Sequence, residues 1–519
     1  MPIKRKINRT PCYSSSKLLF WFGLFSLSII FSVEGNAQKS LKVSTGKSET
    51  DSIIDLEFQF PENWQIADSR KITVPLRIYK SPNNSIFSTP IFWLSGGPGM
   101  TNMDYKPSKE LLENHDVFLV GYRGVDGEIQ LNCPEISNAL RGNTNNLLSK
   151  KSVRNVQHAA TICSERLLKK GIDLNGYTIE QTLMDIDAVR QHYGFHTINL
   201  LSGSYGTRLA QFYMKQYGEH VEHTIMIGAS PPGRFVWEPK IIEQKLADYD
   251  RLCQSNPYCS AQTGNLSATF DQVLNNLPKR WLFFEIDPGK VKVATFGMLY
   301  HTHSATQVID AYLAAAKGDY SGIALLSMAH DYIIPEMMNW GDFLSKGMID
   351  YDPTRSYHNE FSTSKTALGS PISALLMDIG KSWPTDQPKD TYTELDTLYT
   401  RILVINGALD FSTPHQVVQE ELMPFLKNGE LKVIAHKGHV ADLLYKKEVI
   451  GLMADFYADK NVINTTLNYP GPSFELSMGF PKLMKLGIAL MLFLVFLLLF
   501  LLYRFVWKKN VIKRPLKRS

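Results

Sequence analysis

The sequence predicts an α/β protein: a doubly wound, mostly parallel sheet, interrupted by an inserted helical cap and followed by a C-terminal transmembrane helix. Three observations predict it. Short apolar runs alternate with helical periodicity over residues 90–227 and resume at 401–434. Two of these runs end abruptly in small residues, Ser95-Gly96-Gly97-Pro98-Gly99 and Ser202-Gly203-Ser204-Tyr205-Gly206. Between 233 and 398 the strand series gives way to helical segments rich in methionine and aromatic residues, such as Met328 to Trp340.

The two ends read as membrane signals. A basic leader precedes the apolar run Leu18 to Val33, and Gly35 and Ala37 fit a small-x-small cleavage site, so residues 1–37 are expected to be a signal peptide. Leu486 to Tyr503 is 18 residues without a charge, enough to span a bilayer. The basic tail 504–519 is expected to stay cytoplasmic, which puts the body on the extracytoplasmic side. The two ends hold twelve of the 55 basic residues and one of the 50 acidic ones. The stretch 38–503 is therefore mildly acidic, which argues against a nucleic-acid surface.

Excluding Cys12 of the leader, Cys133, Cys163, Cys253 and Cys259 remain. An even number in an exported body indicates two disulfides. The short spacing of Cys253 and Cys259 fits a local loop clip and leaves Cys133 with Cys163, one of three pairings that four cysteines allow. No CxxC, HExxH or His-rich tract is present, so no metal and no cofactor is expected.

In chain order, residues 53–60 and 72–79 read as an opening antiparallel hairpin. Pro90 to Leu94 is a short buried strand running into the glycine loop, where backbone N–H groups approach a ligand closely. Val117 to Val120 is the next strand, then a helical region, a helix over Thr178 to His192, and a strand ending at Leu201. Val221 to Ile227 closes this first part of the core, 38–232, and the cap, 233–398, follows. The second part of the core, 399–460, holds Arg401 to Ile405, the segment Leu431 to Ile434, and a final helix to about Ala458. A linker, 461–485, then leads to the span 486–503.

Three chemistry-bearing residues fall at strand ends. Ser204 sits at a strand-to-helix corner, which exposes its hydroxyl beside a helix N-terminus. Asp410 follows Ile405-Asn406-Gly407-Ala408-Leu409, and His439 follows the last strand in Ala435-His436-Lys437-Gly438. A serine needs a base and an oxyanion site to become a nucleophile. The order Ser204, Asp410, His439 is the one expected of an α/β-hydrolase fold.

The chain resembles the prolyl/tripeptidyl aminopeptidase family of α/β-hydrolases over roughly Leu56 to Ala458. The resemblance rests on Gly96-Gly97-Pro98-Gly99, Tyr122-Arg123-Gly124, Gly203-Ser204-Tyr205-Gly206-Thr207, Gly407-Ala408-Leu409-Asp410 with Thr413-Pro414, and Gly438-His439. It implies Ser204 as nucleophile, His439 as general base, Asp410 as its orienting acid, and the N–H groups of Gly97 and Tyr205 as oxyanion hole. It also implies that Cys133 with Cys163, and Cys253 with Cys259, are paired as in exported relatives. Three positions depart from the family pattern. Ser95 stands for a histidine, Gly121-Tyr122 for Asp-Gln, and Ser202 for the first glycine of Gly-x-Ser-x-Gly.

The expected function is that of a membrane-tethered, exported serine aminopeptidase acting on short peptides. Such an enzyme must bind a free α-ammonium group, for which Glu238, Glu243, Asp331, Glu336 and Asp342 of the cap are candidates. The alternative is an esterase or amidase acting on a small apolar substrate.

Overall fold

The computed structural model describes residues 52–83, 88–142, 145–362, 365–386, 389–462 and 465–512. The leader expected at 1–37 and the last seven residues of the basic tail lie outside them. Eight strands form one sheet: β1 (Ile53–Pro61), β2 (Lys71–Tyr79), β3 (Ile91–Leu94), β4 (Val117–Val120), β5 (Ile198–Gly203), β6 (Val221–Ile227) and, after the cap, β9 (Leu398–Gly407) and β10 (Leu426–Ile434). The cap contributes a two-stranded hairpin of its own, β7 (Arg280–Trp281) and β8 (Phe284–Glu285), which has no counterpart in the sequence expectation.

The sheet order is β1-β2-β4-β3-β5-β6-β9-β10. β1, β2 and β4 pair antiparallel, while β4, β3, β5, β6, β9 and β10 run parallel. β2 alternates, with Ile72, Val74, Leu76 and Ile78 buried, because one face meets solvent. β3, β4 and β5 are buried on both faces, which is why they read as continuous apolar runs. Alternate residues feed two layers. Phe92, Phe118, Leu200 and Val404 meet the helices Ile179–His192 and Tyr205–Tyr217 on one face. Trp93, Leu119, Leu201 and Leu403 meet the helix Lys447–Tyr457 on the other.

From β3 the chain steps one way to β4 and then returns to place β5 on the opposite side of β3. In an open α/β sheet this reversal opens a crevice at the carboxyl ends of the two strands. Ser95 to Gly99 leave β3 there, and Ser204 leaves β5 there. The backbone topology alone thus sets the glycine loop beside the serine.

Both expected disulfides are formed, Cys133–Cys163 across 30 residues and Cys253–Cys259 across six. Chain-entropy arguments assign about 3–4 kcal/mol to the longer loop and about 2 kcal/mol to the shorter. Reduction is expected to lower the denaturant midpoint accordingly, with the Cys133→Ala/Cys163→Ala chain accounting for most of the drop.

The last helix runs Phe480–Ile512, so it starts six residues before the expected span, inside what reads as linker. Its first turns pack on the cap: Phe480 and Met484 are buried with Phe474 against the cap core. Ser321 Oγ donates to Pro481 O at 3.3 Å, and Lys485 pairs with Asp319. Beyond these turns the side chains stand uncovered, as at Phe496 and Leu499. Phe480–Phe505 is long and apolar enough to cross a membrane, with mean hydropathy reaching 3.0.

Candidate active site

Ser204 is the N-cap of the helix Tyr205–Tyr217 and adopts φ 51°, a left-handed conformation that L-residues rarely hold. The corner is enforced by its neighbours. A Cβ at Gly206 would lie 2.1 Å from Leu94 O, so only glycine lets the helix start against β3. Ser202, which replaces the first glycine of the motif, is fully buried, and its hydroxyl donates to Ile225 O at 3.0 Å. The departure is accommodated because position 202 still lies in β5, with a carbonyl of β6 in reach.

The three expected residues converge. His439 Nε2 lies 2.8 Å from Ser204 Oγ, and His439 Nδ1 lies 2.8 Å from Asp410 Oδ2. A carboxylate only accepts, so Nδ1 carries the proton and Nε2 is left to accept from the serine hydroxyl. Asp410 is fully buried. Its Oδ1 accepts from Ser412 N at 2.8 Å and Thr413 N at 3.0 Å, and its Oδ2, the oxygen the imidazole meets, also accepts from Thr413 Oγ1 at 2.7 Å; together they hold its charge.

The histidine loop is held by the cap. His439 N donates to Tyr300 O at 2.7 Å, and the Tyr300 ring lies edge-on to the imidazole at 5.5 Å. Gly407 permits the loop to close, since a Cβ there would meet Gly438 O at 2.1 Å. Asp442 ties the two segments together, accepting from Gly438 N, Thr302 N and Thr302 Oγ1, each at 2.9 Å, with His301 beside it. Burial alone would raise the Asp442 carboxyl. The His301 imidazole and the two N–H groups outweigh that effect and hold it down at about 2. A depressed folded value means the contribution is complete above pH 4 and lost as pH falls toward 2. Asp442→Asn is expected to cost about 1–3 kcal/mol at neutral pH. The gap to the parent chain in urea unfolding should narrow steadily below pH 4.

Of the two expected oxyanion donors, one follows the serine in sequence and the other follows Gly96, which packs against the serine. The Tyr205 N–H is the first of its helix and so has no acceptor within that helix. Gly97 lies in the loop that covers Ser204, where a Cβ on the adjacent Gly96 would sit 2.9 Å from Ser204 Cβ. The other two departures from the family pattern meet each other, because the Tyr122 hydroxyl donates to Ser95 O at 3.2 Å. Arg123 of the same motif plays a structural part. It is fully buried, donates twice to Asp185, and also reaches Glu62 O, Gly176 O and Pro61 O.

The cap carboxylates are engaged elsewhere. Glu238 pairs with Arg355, Glu243 accepts from Ala367 N, Asp331 pairs with Lys290, Glu336 with Arg141, and Asp342 with Lys346. Glu238 is the one of the five that lines the apolar cavity formed by Trp237, Ile242, Phe411 and Thr413. Tyr300 and Asp442 escape sequence reading for different reasons. Tyr300 acts through its carbonyl, which leaves no residue signature. Asp442 reads as an ordinary first-turn acid.

Residues 89–257 match a family model described as alpha/beta hydrolase fold. No curated protein matches the chain. Among solved structures, a serine hydrolase from Cycloclasticus zankles is similar at 13% identity, with 78% of this chain and 98% of that one covered and a TM-score of 0.35. A 2-hydroxy-6-oxo-6-phenylhexa-2,4-dienoate hydrolase from Rhodococcus sp. strain RHA1 is similar at 14% identity, covering 79% and 100%, with a TM-score of 0.35. A thermophilic esterase from Thermogutta terrifontis is similar at 11% identity, covering 78% and 98%, with a TM-score of 0.36. At such scores they carry nothing about activity or substrate. The order of the sheet, the serine corner after β5 and the match over 89–257 together give this chain the α/β-hydrolase fold.

Proposed function

We propose that this protein is a serine hydrolase that works through an acyl-enzyme on Ser204. The observation that carries the reading is the unbroken relay from Ser204 Oγ through His439 to Asp410, 2.8 Å at each step. In this reading His439 takes the hydroxyl proton as Ser204 attacks a carbonyl carbon. The tetrahedral oxyanion is received by the N–H groups of Tyr205 and Gly97. His439 then gives the proton to the leaving group, and water, activated by the same imidazole, releases the acyl group.

The finer reading is an aminopeptidase acting on short peptides, supported by the five motifs that resemble that family. Glu238, on the crevice of about 20 Å³ beside Thr413, would receive the α-ammonium group only after Arg355 gives way and the crevice widens. A second reading has its own support. All five candidate carboxylates are already bonded, which suits an esterase or amidase taking a small apolar group. Aminoacyl-naphthylamides compared with their N-blocked forms separate the two. An aminopeptidase should prefer the free amine by about 10- to 100-fold, the worth of one charge-assisted hydrogen bond. Equal cleavage of both forms would leave the esterase or amidase reading.

We further propose that the helix Phe480–Ile512 anchors the enzyme in a membrane, with the catalytic body on the extracytoplasmic side. The paired cysteines and the basic residues that follow the apolar stretch support this placement. Alkaline carbonate extraction of membranes checks the anchoring. Protease accessibility of the body in intact cells or spheroplasts checks the side.

A further inference from the structure

We propose that Asp342 of the cap is a positioning residue for the hydrolytic reaction, holding the glycine loop in the conformation that receives the oxyanion. The inference rests on the serine hydrolase reading of Ser204.

The loop between Ser95 and Gly99 is pinned at both ends. At the first end, Ser95 N donates to Asn102 Oδ1 at 2.7 Å. Asn102 is fully buried, and its amide donates to Trp93 O and Val120 O at 2.9 and 2.8 Å, so this anchor belongs to the sheet. At the second end, Gly99 N donates to Asp342 Oδ2 at 3.0 Å, and Gly99 O accepts from Asn339 N at 2.7 Å. Gly96, which packs against Ser204, and Gly97 lie between the two anchors.

The second anchor is not part of the sheet. It is the start of the helix Trp340–Gly347, for which Asn339 is the N-cap and accepts from Asp342 N at 3.2 Å. The approach is closer than any side chain would allow, since a Cβ on Gly99, whose φ is +86°, would lie 2.5 Å from Asn339 O. Asp342 is itself fully buried and paired with Lys346 one turn on, which directs Oδ1 to the ammonium group and Oδ2 to the loop. Lys346 also donates to Arg123 O at 3.3 Å. A buried ion pair contributes little net stability over an apolar pair of the same shape, so stability alone is a poor account of it. What the pair does supply is a fixed, charged acceptor for one loop N–H.

Oxyanion donors act at hydrogen-bond distance from an atom that becomes charged only in the transition state. Releasing the loop should therefore lower kcat and leave KM nearly unchanged. The test counts active sites in the full-length protein by fluorophosphonate labelling and expresses kcat per labelled site. Asp342→Ala is expected to lower kcat per site by about 10- to 100-fold, below the loss of a whole oxyanion donor, with KM within about twofold. Asp342→Asn keeps an acceptor for Gly99 N and should recover kcat to within about threefold of the parent. Where Asp342→Ala fails to fold, Asp342→Leu with Lys346→Met removes the acceptor without stranding a buried charge and should show the same loss. A merely structural role would reduce the number of labelled sites and the melting temperature while kcat per site held. That result overturns the proposal, as does an equal loss in the Ala and Asn variants. Absence of labelling in the parent chain would instead overturn the serine hydrolase reading, and the positioning role with it.

Discussion

Ser204→Ala is expected to lower kcat by a factor on the order of 10⁶, while the chain stays folded. Among the described residues the side chain makes one hydrogen bond, to His439, and its loss leaves a single acceptor, the imidazole Nε2, without its donor at a half-buried position. The melting temperature should therefore barely move. Fluorophosphonate labelling should vanish in the same variant. A loss of only tenfold, or labelling that persists, would mean that another nucleophile does the chemistry and that the corner after β5 is a structural turn.

Asp410→Asn is expected to cost about 10⁴-fold in kcat, through the tautomer of His439 rather than through loss of charge alone. The carboxylate accepts from Nδ1, which leaves Nε2 free to accept from the serine hydroxyl. An amide presents its own N–H to Nδ1 and drives the ring proton to Nε2, where it opposes the hydroxyl. The rest of the site should survive, because the amide oxygen still accepts from Ser412 N and Thr413 N. Labelling should be slowed in parallel with kcat. If the variant keeps most of its activity, Asp410 is a cap for the turn 410–413 and the relay ends at the histidine.

Much of the core and all three members of the relay are legible in the amino-acid order. β3, β4 and β5 are short apolar runs, because burial on both faces leaves no room for polar alternation. Ser204 and Asp410 follow apolar runs at a break into small residues, and His439 follows the apolar end of β10. β10 is legible only over its last four residues, since Lys427, Asn428 and Gly429 give its first half the composition of a turn. Pairing with β9 supplies the order that composition does not. The start of the final helix is obscured by Lys482 and Lys485, which end the apolar run. Lysine is an adequate helix former, and these two find Ser477 O and Asp319. Asp342 stands out in no way from the other acids of the cap. Its partner, the N–H of Gly99, lies 243 residues away, and no local pattern reports a contact of that range.

The embedding of Phe480 and Met484 in the cap bears on where the folded body ends. At 1.5 Å per residue the 26 residues from Phe480 to Phe505 extend about 39 Å, against roughly 30 Å of bilayer hydrocarbon. The excess is close to the two turns that the cap encloses. A water-soluble form truncated at 480 would strip those turns away and lay bare the apolar seat they fill; one retaining Lys485 would keep it closed. With the remainder of the helix read as a span, the catalytic cleft stands at a set height above the lipid surface, and its reach is governed by that standoff and not by the slack of a leash.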